Sequence, residues 1–224
     1  MKKSAIILLA AIAFPFTLAS GEVVINEIYG GGGNSSAPFN QDFVELFNNS
    51  TDAVDISGFQ LEYASPRQSL RTIATIPVST ILGAGEFYVI GGARGAIGAA
   101  LPHVDFTTSA NLKATAGKIA LLDSSSSLAD SVDYDMAADQ HDGRRHRNAT
   151  ARLEIAGMFS ASNTMSDQRI PNGIDTNNNN LDFRAQIPTP DAMNAAVPEP
   201  STWMMLGVGA AGLIGVQKLR RKRS

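Results

Sequence analysis

Between residues 22 and 195 the sequence breaks into short runs in which apolar and polar residues alternate, each closed by Gly, Pro or Asn/Asp. Alternation with a period of two places successive side chains on opposite faces of a strand, a pattern no amphipathic helix of that length shares. The runs at 23–29 and 43–48 carry it most clearly. The run at 54–56 leads through Ser57 and Gly58, read as a bulge or turn, into Phe59, Leu61 and Tyr63 on one face. Further runs lie at 72–78, 86–90, 118–122 and 128–134, with Gly83-Ala84-Gly85 just ahead of Phe87. Seven or more short strands with close turn signals predict an all-β fold, a β-sandwich. Outside the two ends no long segment holds a 3.6-residue period. The glycine run at 30–33 is not followed by a helix whose N-terminus would bind an anion, so it is no phosphate loop and reads as a flexible connection.

The ends read as topology. Lys2 and Lys3, an apolar run over 5–18 and the small residues Ala19 and Ser20 form the three regions of a secretory signal peptide, residues 1–20. Pro15 inside the run argues against a spanning helix. An exported chain without cysteine has neither disulfide staples nor a thiol for catalysis, metal binding or acylation. Its body, residues 22–195, is long enough to bury a core unaided. Seven of the 18 basic residues sit in the terminal segments, and setting Glu199 aside the body holds 11 basic against 20 acidic residues. An acidic body does not attract phosphate backbones, so nucleic acid is excluded as a partner.

The tail reads Val197, Pro198, Glu199, Pro200, then a nearly unbroken apolar run over 202–216, then Lys218, Arg220, Arg221, Lys222 and Arg223. Fifteen residues at about 1.5 Å each reach only about 22 Å as a helix, short of a hydrocarbon core of about 30 Å. Such an anchor, through Thr202, Trp203, Leu206, Leu213, Ile214 and Val216, needs its basic stop to snorkel. The basic residues stay cytoplasmic by the positive-inside rule, and both ends therefore place the body outside the inner membrane. The Pro-Glu-Pro box, the short Gly/Ala-rich apolar helix and the Arg/Lys cluster of residues 197–224 resemble the PEP-CTERM sorting signal of Gram-negative bacteria. The resemblance implies recognition by a membrane-embedded exosortase, transient residence in the inner membrane, and association with exopolysaccharide and biofilm.

Five blocks of the body, in order, resemble the lamin-tail domain, an Ig-like sandwich: VVINEIYGGGG from Val23, DFVELFNNSTDAVDISGFQLEY from Asp42, IPVSTILGAGEFYVI from Ile76, KIALLDSSSSLADSVDY from Lys118 and RIPNGIDTNNNNLDFRAQIPTPDAMN from Arg169. Residues 136–167 carry no clear family pattern, and Asp191 stands where the family often has glycine after Pro-Thr-Pro.

Candidate chemistry is sparse. Glu27 and Glu45 could be mistaken for an acid/base pair, but only separated environments would make them one; the residues read as holding turns, neighbouring backbone or a partner strand. Asp175, Asn177, Asn179 and Asp182 offer oxygen ligands at alternating spacing, the best metal candidate. The EF-hand template then fails, with Asn180 for its glycine and Gln186 for its bidentate glutamate. His141, Arg144, Arg145, His146 and Arg147 form a basic patch that reads as a solvated loop, or as a contact for an anionic polysaccharide if the arginines cluster. No G-x-S-x-G elbow is present. The sequence therefore predicts no enzyme, no cofactor and no dedicated metal site. It predicts an exported envelope or matrix protein that displays a binding or structural module to exopolysaccharide or another surface protein. A cryptic secreted hydrolase using Glu27, Glu45 or His141, or an accessory subunit of one, is the competing reading, and a concave cleft with converging titratable groups would distinguish it.

Overall fold

The central strands are those whose alternation is clearest. A computed structural model gives the architecture of residues 23–66, 68–134 and 162–194. The leader at 1–20, the patch from His141 to Arg147 and the tail from Val197 onward lie outside the described residues. Among the described residues, β1 (Val23–Tyr29), β2 (Gln41–Asn48), β7 (Phe87–Arg94), β8 (Phe106–Thr107), β11 (Ser166–Arg169) and β12 (Phe183–Gln186) form one sheet, in the order β12-β11-β1-β2-β7-β8. A second sheet runs β10-β9-β4-β5, from β4 (Gln60–Ala64), β5 (Arg71–Thr75), β9 (Gly117–Leu122) and β10 (Leu128–Tyr134). The pair β3 (Val54–Asp55) and β6 (Ile81–Leu82) closes one end, and a single four-residue helix, α1 (Asn179–Asp182), precedes β12. Among these named strands every pairing is antiparallel except β7 with β8. The expectation of an all-β sandwich is met.

The two sheets bury one core between them. Ile25, Ile28, Val44, Leu46 and Ile90 from the larger sheet pack with Leu61, Tyr63, Ile119, Leu121 and Val132 from the smaller. Each large apolar side chain so buried stabilises the fold by about 1.5–3 kcal/mol before entropy is counted. A β-bulge decides which residues of β1 take part. Ile25 pairs with Leu46 and Glu27 with Glu45, so Asn26 is the extra residue. Strict alternation would put Glu27 on the core face with Val23 and Ile25; the bulge turns it to the outer face and brings Ile28 inward.

The outer face of the larger sheet is covered: β1 and β2 are buried along their whole length, polar members included. Residues 95–116 and 187–194 cover that face, the former through a second apolar cluster of Tyr29, Phe43, Val89 and Leu101. The glycine run at 30–33, read as flexible, is a close-packing device. An added Cβ would lie 2.5 Å from the Lys113 carbonyl at Gly30 and 2.1 Å from Gln41 backbone at Gly32. Asp42 fixes the same region, accepting from Gly32 N at 2.8 Å and Leu112 N at 2.9 Å. Burial raises its pKa to about 6. Finally, β6, β8, β11 and β12 were not foreseen. They are two to four residues long, and β11 (SDQR) is wholly polar, so tertiary pairing forms them rather than local pattern.

Candidate functional site

The polar groups of the domain converge where residues 166–194 join β1. Strand β11 ends at Arg169, so the β11-side edge of β1 loses its partner near Ile25. Two buried side chains take over its backbone groups. Ile25 N donates to Asp130 Oδ2 at 2.7 Å, and Arg169 Nε donates to Ile25 O at 2.9 Å. The guanidinium then bridges Asp130 at 2.8 Å, Asp182 at 3.2 Å and Asp175 at 3.4 Å. Its carbon lies 4.6 Å from the centroid of the Phe183 ring. Arg169 is fully buried, so this cation is set among partners water would otherwise supply.

That arrangement accounts for the metal candidate. The carboxylates of Asp175 and Asp182 face Arg169, while Thr176 N and Oγ1 donate to Asp182 and Asn177 N to Asp175. Asn179 turns away, its Nδ2 donating to Ser131 O at 3.1 Å. Asn177 holds φ of 56°, the left-handed region that suits Asn in a tight turn. The four residues thus do not converge as a ligand shell; two of them are paired with a guanidinium. Burial, then the charge of Asp130, raises the pKa of Asp175.

On the outer face Glu27 and Glu45 stand directly opposite across β1 and β2, both fully buried. Sequence placed each on a strand; only the register makes them neighbours. Glu27 Oε1 accepts from Ser166 Oγ at 2.6 Å, Thr189 N at 3.0 Å and Gln168 Nε2 at 3.3 Å. Glu45 accepts from Asp191 N at 2.6 Å and Asn26 Nδ2 at 3.0 Å. Burial lifts the pKa of Glu27 to about 7; burial and the charge of Glu27 lift that of Glu45 to about 8. Asp191 adopts φ of 61°, which explains why a glycine commonly serves there, and the turn aims its N–H at Glu45. Asn194 completes the join, donating from Nδ2 to Asn26 O and Arg169 O. Carboxylates and a buried arginine therefore stitch the C-terminal stretch to the sheet, and Arg169, Asp130, Thr189 and Asn194 are the members sequence reading missed. Isolated polar residues beside turns carried no pattern to find them by.

One open cleft of about 390 Å³ lies elsewhere, lined by Thr80, Glu86, Tyr88 and Asp105 among others. Its carboxylates serve the local backbone: Glu86 Oε2 accepts from Gly83 N and Asp105 Oδ2 from Val89 N. Asp105 also meets exposed His103 at 2.9 Å, which raises the histidine pKa. Among the described residues no group of three His, Cys, Asp or Glu side chains is placed to hold a metal ion, and no helix is long and apolar enough to cross a membrane.

The solved structure of a DUF4876 family protein from Bacteroides thetaiotaomicron VPI-5482 superimposes with a TM-score of 0.51 over 79% of this chain and 75% of that one, at 13% identity, a likeness of fold alone. Among curated proteins none matches. The PEP-CTERM protein-sorting motif matches residues 196–222. The Lamin Tail Domain model matches residues 17–135, ending before β11 (Ser166–Arg169), which the structure nevertheless pairs onto β1. With more than half its length matched, the chain belongs to the Lamin Tail Domain family.

Proposed function

We propose that this chain is an exported surface protein that an exosortase sorts through its C-terminal tail, and that its lamin-tail sandwich serves as a displayed binding or structural module. The observation carrying this is the order of two matches, the lamin-tail model over 17–135 and then the PEP-CTERM motif over 196–222. The signal peptide at 1–20 supplies export, the apolar run at 202–216 a transient hold in the inner membrane, and the basic stop its orientation. Exopolysaccharide or another surface protein is the partner class this reading implies. The non-enzymatic reading is supported by burial: Glu27 and Glu45 lie beneath residues 187–194, with their oxygens engaged by protein donors.

Sorting is tested at Glu199, the acidic residue between the two prolines of the box. Glu199→Ala leaves the bulk apolarity of both ends unchanged, so export and membrane retention persist. Intact-mass analysis of the envelope fraction is expected to find the variant as an unprocessed species still bearing its tail, whereas wild type has lost it. Equal mass and location for the two proteins would reduce the tail to a plain anchor.

A further inference from the structure

The hydroxyl of Thr189 poses a counting problem. It lies 2.9 Å from Asn194 Oδ1 and 3.1 Å from Glu27 Oε2. Asn194 Nδ2 donates to two backbone carbonyls, which fixes Oδ1 as an acceptor. If Glu27 were ionised, one hydroxyl proton would face two acceptors and could serve only one. A proton on Glu27 Oε2 resolves this: the acid donates to Thr189 Oγ1, which donates to Asn194 Oδ1. The neighbouring carboxyl of Glu45 stands in direct cross-strand register, where two like charges would repel without water to screen them.

The second observation is reach. Only Ala195, Ala196 and Val197 separate Asn194 from Pro198, so at about 3.5 Å per residue the sorting box lies within about 14 Å of the folded body. If the chain were free from Ile187 onward, with Gln186 its last fixed residue, the same limit would be about 42 Å. We propose that residues 187–194 are a proton-locked strap, closed by Glu27 and Glu45, whose release lengthens the tether to the sorting motif and admits the processing enzyme. The link to sorting rests on the function proposed above; the strap itself does not.

Charged groups around the pair are few. Asp191, on the strap, adds negative charge near Glu45, and His103 approaches Asp191 from the loop before β8. From β11 come only Ser166 and Gln168, and from β7 Val89, opposite Glu45. Arg184 on β12 pairs with Gln168 but donates to the carbonyls of Asn180 and Phe183. No cation sits against the pair among these residues, so its charge is controlled by protons. Both groups titrate above the ordinary glutamate value. Opening restores ordinary values, so closure is tightest in acid and weakens as pH rises through about 7 to 8.

The test is hydrogen exchange on the full-length protein in detergent, reading the Thr189 and Asp191 amides as protection factors at pH 6 and pH 8.5. Protection there is expected to fall at least about tenfold, as the loss of one linked proton over one pH step would give, while that of Ile119 and Leu121 in the opposite sheet is unchanged. A Glu27→Gln/Glu45→Gln protein, with nothing to ionise, is expected to hold its protection across that range. Loss of protection that tracks the core strands in wild type, or an unaltered pH response in the double variant, overturns the strap. These outcomes stand apart from the Glu199→Ala result, which bears on sorting alone.

Discussion

Two buried polar centres attach residues 166–194 to β1, and they solve the same problem by opposite means. At Arg169 three carboxylates share one guanidinium, so the compensating charge is covalently part of the chain. At Glu27 and Glu45 two carboxyl groups meet hydrogen-bond donors and, among the described residues, no cation, so protons from solvent do the compensating. The first centre keeps its cation at any ordinary pH, because guanidinium does not titrate there. The second depends on pH. The difference teaches that fixed and releasable joins can be built side by side from similar acids, according to whether an arginine is included.

The largest expected effect breaks the fixed join. Arg169→Met leaves Asp130, Asp175 and Asp182 buried without their cation and strips a donor from Ile25 O; denaturant unfolding is expected to show a loss of about 3–5 kcal/mol, or failure to fold. Arg169→Lys should restore part of the loss, since charge returns without the fork that reaches several acceptors.

A smaller effect sharpens the releasable join. Because Glu27 and Glu45 have folded pKa values raised to about 7 and 8, the stability they contribute is complete below the ordinary carboxylate value of 4.5 and is lost as pH rises through those values. Unfolding free energy should therefore fall from pH 5 until the pH passes those folded values, by up to about 1.4 kcal/mol per pH unit for each linked proton. The Glu27→Gln/Glu45→Gln protein should have a flatter profile. An equal slope in both proteins would mean the pair is not the origin.

The smallest effect concerns the acids of the fixed join as a calcium loop. With Asp175 and Asp182 turned to Arg169, millimolar Ca²⁺ is expected to raise the melting temperature by less than about 5 °C. A larger rise would show that the cation can displace the guanidinium.

Much of the fold was legible because alternation is a local property. The runs around Ile25, Val44, Leu61, Ile119 and Val132 appear as strands where the pattern placed them. The glycine run misled because sequence does not distinguish a glycine used for freedom from one used for close approach; only the Lys113, Gln41 and Gly95 backbones packed against it do so. Asp191 is the reverse case, a departure from family habit that became intelligible once its φ was known.

The sequence by itself determined the strand-rich class, the acidic cysteine-free body and the C-terminal sorting motif, because each depends on residue type and short-range spacing. Tertiary structure alone decided that Glu27 faces Glu45, that Arg169 gathers three aspartates from separate segments, and that residues 187–194 close over the pair. Those outcomes turn on the one-residue bulge at Asn26 and on contacts between separate segments, from Arg169 with Asp130 to Glu27 with Thr189. No local pattern encodes them, since the energy of such a join exists only after the sheet has formed.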